Sequence, residues 1–285
     1  MSRNMNIVLI CVELICLVKL SYAYEVIYAV NSGGGAFTDS HGTFYDADPL
    51  EGKTGTASDF GKQLSIGRVP EEDELLYQTE RYHVDSFHYD IPIPSDGEYT
   101  LVLKFSEVYF NSVDKKVFDV VLNSAHTIVK KLDIFKQVGK GVAHDEVIYF
   151  TVLRGMLRYE RGESRVRNGQ ARLEFVKMNG FDNPKVNAII LFKGHNRKDL
   201  DQIPRIQSIE EYYDQGVKDK MDAYEPDEDT IRNIRDEVQQ EAPKIRKTSG
   251  PKQQNPYALD DSSTMLPIFI AIGAFVPLLF CLCKM

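Results

Sequence analysis

The sequence has 285 residues, a net charge of −8 and four cysteines. This acidic balance argues against a nucleic acid or an anionic membrane surface as partner, because both are negatively charged. Two cysteines lie near each end, so a domain of roughly 170 residues between them must fold on its hydrophobic core without a disulfide.

Residues 1–23 have the features of a secretory signal peptide. Arg3 supplies a positive charge, residues 7–18 form a short apolar run, and Ser21-Tyr22-Ala23 place small residues where signal peptidase cleaves. Glu13 is unusual inside such a run. The alternative is an uncleaved signal anchor, which the shortness of the run disfavours.

Residues 24–194 are predicted to be all-β. Leu101, Leu103 and Phe105 alternate with Val102, Lys104 and Ser106, which predicts a strand with one face in a core. Turn sequences at residues 123–125 and 154–155 separate further strands. The spacing favours an antiparallel sandwich or jelly roll. The predicted strands are residues 24–31, 99–107, 116–123, 126–134, 146–153, 171–178 and 186–194.

Residues 195–264 change in composition to a polar, acidic stem. Ser208 and Glu211 form a capping-box pattern that predicts one short helix, and Ile231, Ile234 and Val238 are spaced for the face of a second. The stem is interpreted as mostly solvated, either carrying a partner-binding helix or serving as a disordered spacer.

Residues 265–283 form an uncharged apolar run long enough to cross a thin bilayer. Lys284 follows the run, so the positive-inside bias places the tail, residues 284–285, in the cytosol. A lipid-anchor signal is the competing interpretation, but its polar spacer is missing. Cys281 and Cys283 could be palmitoylated or could simply be apolar helix residues.

No catalytic, metal or cofactor motif is found. Gly33-Gly34-Gly35 lacks the pattern of a phosphate loop, and residues 51–55 fail as a Walker motif because Ala47 stands where glycine is required. The histidines lack zinc-ligand spacing. Two carboxylates could in principle flank a glycosidic bond. The candidates are Asp46, Asp48, Glu107, Asp145, Glu146 and Asp182.

Aromatic side chains occur at several positions outside the predicted strand interiors. Tyr109 and Phe110 stand side by side where a strand ends, Phe60 and Tyr82 lie in other segments, and Asp182 precedes a turn. An aromatic ring matches the apolar face of a sugar, and a carboxylate matches its hydroxyl rim. Core packing is the other explanation for each ring, and spacing alone does not bring the set together.

Seven segments, in this order, resemble the malectin family: ASDFG, LLYQTERY, LVLKFSEVYF, KVFDVVLN, KLDIF, AHDE and FVKMNGFDNPKV. The resemblance covers residues 24–194 and includes the layout of signal, domain and C-terminal span. It implies a jelly-roll-like β-sandwich that binds α-linked diglucose, as in diglucosylated high-mannose N-glycans, nigerose or maltose. It also implies a single-pass type I protein of the endoplasmic-reticulum membrane with a luminal domain. Its role would be early glycoprotein quality control near the oligosaccharyltransferase complex.

The family's binding positions fall on five residues of this sequence. Tyr82 closes the TERY motif, Tyr109 and Phe110 are the aromatic pair of EVYF, and Asp182 opens DNPKV. Phe60 occupies an aromatic position that is usually tyrosine in the family. The resemblance therefore implies a carbohydrate site with one hydroxyl fewer than usual.

Three hypotheses about function follow. The first is a non-catalytic lectin, the second is a glycosidase that uses carboxylates in the same groove, and the third is an adaptor that holds a membrane partner through the stem. Residues 156–169 are interpreted as a loop slightly longer than in relatives, which would alter the rim of the site.

Overall fold

The computed structural model of the protein describes residues 25–194 and 206–221. The predicted signal peptide, the second predicted stem helix and the predicted membrane span lie outside these residues. Within them, no helix is both long and apolar enough to cross a membrane.

The described chain consists mainly of short strands. In chain order they are β1 (Glu25–Asn31), β2 (Phe37–Thr38), β3 (Phe44–Ala47), β4 (Thr56–Ser58), β5 (Glu80–Tyr82), β6 (Phe87–Pro92), β7 (Gly97–Ser106), β8 (Phe118–Leu122), β9 (His126–Leu132), β10 (Ala143–Leu153), β11 (Met156–Tyr159), β12 (Gly162–Arg165), β13 (Gln170–Lys177), β14 (Lys185–Val186) and β15 (Ala188–Lys193). The helices are α1 (Leu75–Gln78), α2 (Ile134–Val138) and α3 (Ile209–Met221), with 3-10 turns at Phe60–Gln63 and Glu71–Asp73.

The strands form three open sheets. The largest has the order β12-β11-β10-β7-β15-β1-β3-β2, the second has the order β6-β13-β8-β9, and a small third sheet has the order β14-β5-β4. Among the named strands, every pairing is antiparallel except that of β1 with β3. The prediction of an all-β, largely antiparallel sandwich is confirmed.

The sandwich core lies between the two larger sheets. Strand β8 follows the period-2 rule, because Phe118, Val120 and Leu122 are fully buried while the residues between them are less so. These side chains meet Leu103 and Phe105 of β7 in one cluster. The Phe105 and Phe118 rings lie 5.9 Å apart between centroids, so the two sheets are joined by aromatic packing.

The prediction that β7 has only one face in a core is wrong, because both faces are buried. Its second face carries Val102 into another apolar cluster that includes Tyr77 of α1. Lys104 donates hydrogen bonds to the Tyr77 hydroxyl at 2.9 Å and to Asp145 at 3.0 Å. A buried cation needs such partners. Burial and the neighbouring Asp145 carboxylate raise the pKa of Tyr77, which keeps its phenol neutral.

The structure differs from two expectations about secondary structure. The strand predicted over 126–134 ends at Leu132, because Asp133 caps α2 by accepting a hydrogen bond from the Lys136 amide at 3.0 Å. Residues 156–169, interpreted as a loop, form the hairpin β11–β12 instead. The side chain of Ser164 in that hairpin accepts a 2.7 Å hydrogen bond from Asn123 in the β8–β9 turn.

The first part of the stem packs against the domain. The Ser208 hydroxyl accepts from the Glu211 amide and the Glu211 carboxylate accepts from the Ser208 amide, each at 3.1 Å, which confirms the capping box. The Gln207 amide donates to the Arg68 carbonyl at 2.9 Å, and Tyr212 packs over Gly67. The start of the stem is therefore only partly solvated, since Ile206, Ile209 and Tyr212 pack against the apolar clusters of the domain.

Candidate functional site

Tyr109 and Phe110 are presented by a loop that begins where β7 ends. Val108 is buried in the second apolar cluster, whereas Tyr109 and Phe110 are half-buried. The fully buried Glu107 carboxylate accepts hydrogen bonds from the Tyr109 and Phe110 amides, at 2.8 and 3.0 Å. Such bonds to a charged acceptor are strong, so Glu107 fixes the backbone that carries both rings.

A third ring joins this pair from a distant part of the chain. Phe60 opens the 3-10 turn after β4, and its amide donates to the Ser58 hydroxyl at 3.2 Å. The Phe60 ring lies 5.7 Å from the Tyr109 ring, and Tyr109 lies 5.0 Å from Phe110, each pair edge to face. The three half-buried rings form one continuous aromatic surface.

Asp182 is joined to this surface through Lys116. The Lys116 ammonium donates to the Asp182 carboxylate at 2.7 Å and to the Asn183 carbonyl at 3.1 Å. It also lies 5.6 Å from the centroid of the Phe110 ring, within the range of a cation–π contact. The Lys116 side chain is 2% exposed and that of Asp182 is 24% exposed. The carboxylate therefore reaches solvent beside the rings.

Tyr82 lies at the end of β5, where it pairs with Thr56 of β4 and Lys185 of β14. It is only 7% exposed, although it was expected outside a strand interior. Burial raises the pKa of the Tyr82 phenol; Asp182 and Glu80 add to the rise, and a hydrogen bond with Thr56 opposes it. Tyr82 pairs with Lys185, three positions after Asp182, and the neighbouring His83 amide donates to the Pro184 carbonyl at 3.3 Å, so Tyr82 lies on the carboxylate side of the site.

A buried ion pair supports the small sheet under Tyr82. The Lys185 ammonium donates to the Glu80 carboxylate and to the carbonyl of Ser106, the last residue of β7. Glu80 and Lys185 are both essentially inaccessible to solvent. Removing one partner of such a pair costs several kcal/mol, about 3–5. The pair therefore stabilises the packing of β5 and β14 against β7, the strand that precedes the aromatic loop.

The structure thus links four of the five predicted site residues by contacts, with Lys116 joining Asp182 to the three rings. The fifth, Tyr82, lies near Asp182 but is more deeply buried. Sequence reasoning missed Lys116 and considered Glu107 only as a candidate acid. Lys116 follows Lys115 directly, and no local sequence pattern shows which of the two side chains is buried and paired with an acid. Its partner Asp182 is 66 positions further along the chain.

Three of the six carboxylates considered for hydrolysis are fully engaged in structural contacts. Asp48 is paired at 2.7 Å with Arg81, both side chains being 1% exposed, and Asp145 is held by Lys104. Glu107 binds the loop backbone. Among the residues that the structure describes, no group of three histidine, cysteine or carboxylate side chains could hold a metal ion. The arrangement is suited to contact with a ligand rather than to acid–base chemistry.

The chain from residue 26 to residue 189 matches the family model of the Malectin domain. Malectin-A of Xenopus laevis is 47% identical over 263 residues, which cover 92% of this chain and 90% of that protein. Malectin of Homo sapiens is 45% identical over 261 residues, which cover 92% of this chain and 84% of that protein.

Solved structures with the same fold include the ANXUR2 extracellular domain from Arabidopsis thaliana. The TM-score is 0.51 at 17% sequence identity, over 61% of this chain and 50% of that structure. At this identity the likeness concerns the fold alone, and the match spans half of the plant structure.

Proposed function

This chain belongs to the malectin family, and on that premise we propose that it is a lectin that binds α-linked diglucose. The ligand would be the diglucosylated high-mannose N-glycan of newly made glycoproteins, and the role would be early quality control in the endoplasmic reticulum. The isolated disaccharides nigerose and maltose are both α-linked diglucose units, which differ in linkage position, and serve as probes.

The observation that carries the proposal is the continuous surface of Phe60, Tyr109 and Phe110 with Asp182 beside it. Pyranose rings expose C–H faces that pack on aromatic rings, and they carry hydroxyls that donate to carboxylates. The half-buried rings offer the first contact. The Asp182 carboxylate, one of whose oxygens binds Lys116, offers the second.

The charge of the site fits an uncharged ligand. Lys116 balances Asp182 within 2.7 Å, so the carboxylate can accept hydroxyl hydrogen bonds without giving the site a net charge. A site of this kind favours neutral sugars over acidic ones. Asp48, Asp145 and Glu107 are engaged in structural contacts, and the family assignment favours a lectin over a glycosidase.

Phe60 distinguishes this site from those of relatives with tyrosine at the same position. The ring keeps its stacking surface, while a hydrogen bond worth about 0.5–1.5 kcal/mol to sugar or water is lost. The expected affinity, through a few contacts on a shallow surface, is a Kd of about 1 μM to 1 mM.

The proposed architecture places this site on the luminal side of a membrane. Residues 1–23 would be a signal peptide, 24–194 the lectin domain, 195–264 the stem, 265–283 a membrane span and 284–285 a cytosolic tail. The protein would then be a single-pass type I protein of the endoplasmic-reticulum membrane, placed near the oligosaccharyltransferase complex.

Calorimetric titration with nigerose and maltose tests the proposal. The wild type should bind, whereas Tyr109→Ala and Asp182→Asn should each weaken binding at least tenfold, because each removes one of the two kinds of contact. Phe44→Ala is the matched control, since Phe44 is an aromatic residue 57% exposed on β3. Unchanged binding in both site variants would disprove the site assignment, and no binding by the wild type would disprove the function.

A further inference from the structure

A concave surface lies next to the aromatic surface formed by Phe60, Tyr109 and Phe110. It is a groove of about 470 Å³ between the turn after β1, the strand β4 and the helix α1. The turn contributes Gly33, Gly34, Gly35 and Ala36 to its lining. Its volume is in the range of about 300–1,000 Å³ that is typical of ligand pockets.

Two of the three glycines in the turn are required by the fold. A Cβ on Gly33 would lie 1.9 Å from the Glu80 carbonyl oxygen, and Gly33 has a φ of 71°. A Cβ on Gly34 would lie 2.3 Å from the Asn31 side chain. Any side chain at either position would therefore collide with β1 or β5.

Gly35 has no such requirement. A Cβ there would have no described heavy atom within 4 Å, and its φ lies outside the left-handed region. The fold would accept a side chain at this position. Because Gly35 lines the groove, a side chain there would occupy groove space without disturbing the fold, which makes the position suitable for a test.

The charged side chains that line the groove are paired. Asp48 and Glu51 both bind Arg81, at 2.7 and 2.6 Å, and Asp59 lies 3.3 Å from Lys62. None of the described residues that line the groove is aromatic. A neutral ligand rich in hydroxyl groups suits this surface, held by hydrogen bonds and not by stacking.

The groove adjoins the aromatic surface through consecutive residues. Ser58 and Asp59 line the groove, and the next residue, Phe60, carries the first ring of the aromatic site. The Ser58 hydroxyl accepts from the Phe60 amide, which fixes this junction. A ligand that lies over Phe60 and continues past Asp59 enters the groove.

We propose that the groove is a second sugar subsite, which binds the hexose units that follow those on the aromatic rings. This inference rests on the proposed lectin function and extends it. A glycan longer than a disaccharide would bind more tightly because its additional hydroxyls meet Ser58, Asp59 and Lys62. The disaccharide itself would not depend on the groove.

The test uses the full chain in a detergent without a sugar headgroup, titrated with maltose, maltotriose and maltotetraose. Gly35→Leu and the independent variant Ala36→Leu, at an exposed neighbouring position, both narrow the groove. Ala125→Leu, in the exposed β8–β9 turn, is the control, and thermal unfolding verifies that all variants fold.

The wild type and the control should bind the tetrasaccharide about tenfold more tightly than maltose, as one or two added hydrogen bonds would give. Both groove variants should lose this gain and keep the affinity for maltose within about twofold. If the wild type binds maltose and the tetrasaccharide equally well, the subsite is disproved but the lectin function is not. The same conclusion follows if the groove variants still bind the tetrasaccharide more tightly than maltose. A wild type that binds none of the three sugars overturns the lectin function together with the subsite.

Discussion

The ammonium group of Lys116 lies 2.7 Å from a carboxylate oxygen of Asp182 and 5.6 Å from the centroid of the Phe110 ring. One buried cation therefore contacts two of the side chains proposed to bind sugar. It aligns the carboxylate with the ring while touching neither the solvent nor, in our proposal, the ligand.

Replacing Lys116 should weaken both stability and binding. Lys116→Met leaves the Asp182 carboxylate unpaired, and we expect a loss of about 1–3 kcal/mol, less than for a fully buried pair because Asp182 reaches solvent. Thermal unfolding and titration with nigerose measure the two effects. Lys115→Met, at the exposed neighbouring position, should change neither. In the double variant Lys116→Met with Asp182→Asn, stability should recover while binding does not; recovery of both would contradict the proposed role of Asp182.

Glu107 should influence the binding of sugar to the Tyr109 and Phe110 rings through the backbone that carries them. Its carboxylate holds the Tyr109 and Phe110 amides. Glu107→Ala frees that backbone and should lower the affinity for nigerose about tenfold or more. Glu107→Gln keeps a side-chain oxygen as acceptor and should stay within about threefold of the wild type. Equal affinities for the Ala variant and the wild type would show that the loop is held by other contacts.

The phenylalanine at position 60 should set the affinity of this lectin below that of relatives with tyrosine. Phe60→Tyr adds a hydroxyl at the edge of the ring surface and should raise the affinity for nigerose by about two- to tenfold. Phe60→Leu keeps an apolar side chain without a stacking face and should lower the affinity. An unchanged Kd in the tyrosine variant would mean that the position contributes only its ring.

Acid should destabilise the domain through His126. This side chain is buried on β9, 2.8 Å from the Ser164 hydroxyl, and burial lowers its pKa. In the unfolded chain the histidine pKa is about 6.5. Between that pH and the lower folded pKa, the unfolded chain therefore binds a proton that the folded chain does not. Stability should therefore fall as the pH drops below about 6.5 towards the folded pKa.

Thermal unfolding at several pH values between about 7.5 and 5.5 measures this effect. The wild type should lose more stability over that range than His126→Gln, whereas His41→Gln, at an exposed position, should behave as the wild type does. Parallel pH profiles for the wild type and His126→Gln would assign the acid sensitivity to other groups.

The start of the stem should stabilise the domain. Tyr212→Ala removes a ring packed over Gly67, and a loss of about 1 kcal/mol would lower the melting temperature by about 2–4 °C. Gly67→Ala should have a similar effect by displacing the Tyr212 hydroxyl. Gln215→Ala, at an exposed position of the same helix, is the control. Full stability in both Tyr212→Ala and Gly67→Ala would mean that the contact contributes nothing.

Local patterns in the sequence predicted those features that depend on neighbouring residues. The strand predicted over 116–123, the turn at 123–125 and the capping box at Ser208 are all found in the structure. Asn123 and Ser124 both adopt positive φ angles, as a tight hairpin requires.

Features that depend on distant residues could not be predicted in the same way. The second buried face of β7 is covered by Tyr77 and its neighbours, and Tyr77 precedes Val102 of that face by 25 positions. The deep burial of Tyr82 results from pairing with β4 and β14 on either side. The resemblance selected the candidate site residues, whereas the link between Asp182 and the Phe110 ring depends on Lys116, which no local pattern distinguishes.

The loop that carries Tyr109 and Phe110 follows directly from β7, whose last eight residues are buried. A sugar arriving there meets rings whose backbone is already fixed, so little conformational entropy is lost on binding. With association near about 10⁶ M⁻¹ s⁻¹ and a Kd of about 10 μM, the residence time would be about 0.1 s. A lectin with this residence time would bind and release successive glycans rapidly. Prolonged retention of a glycoprotein would require several glycans or a further contact.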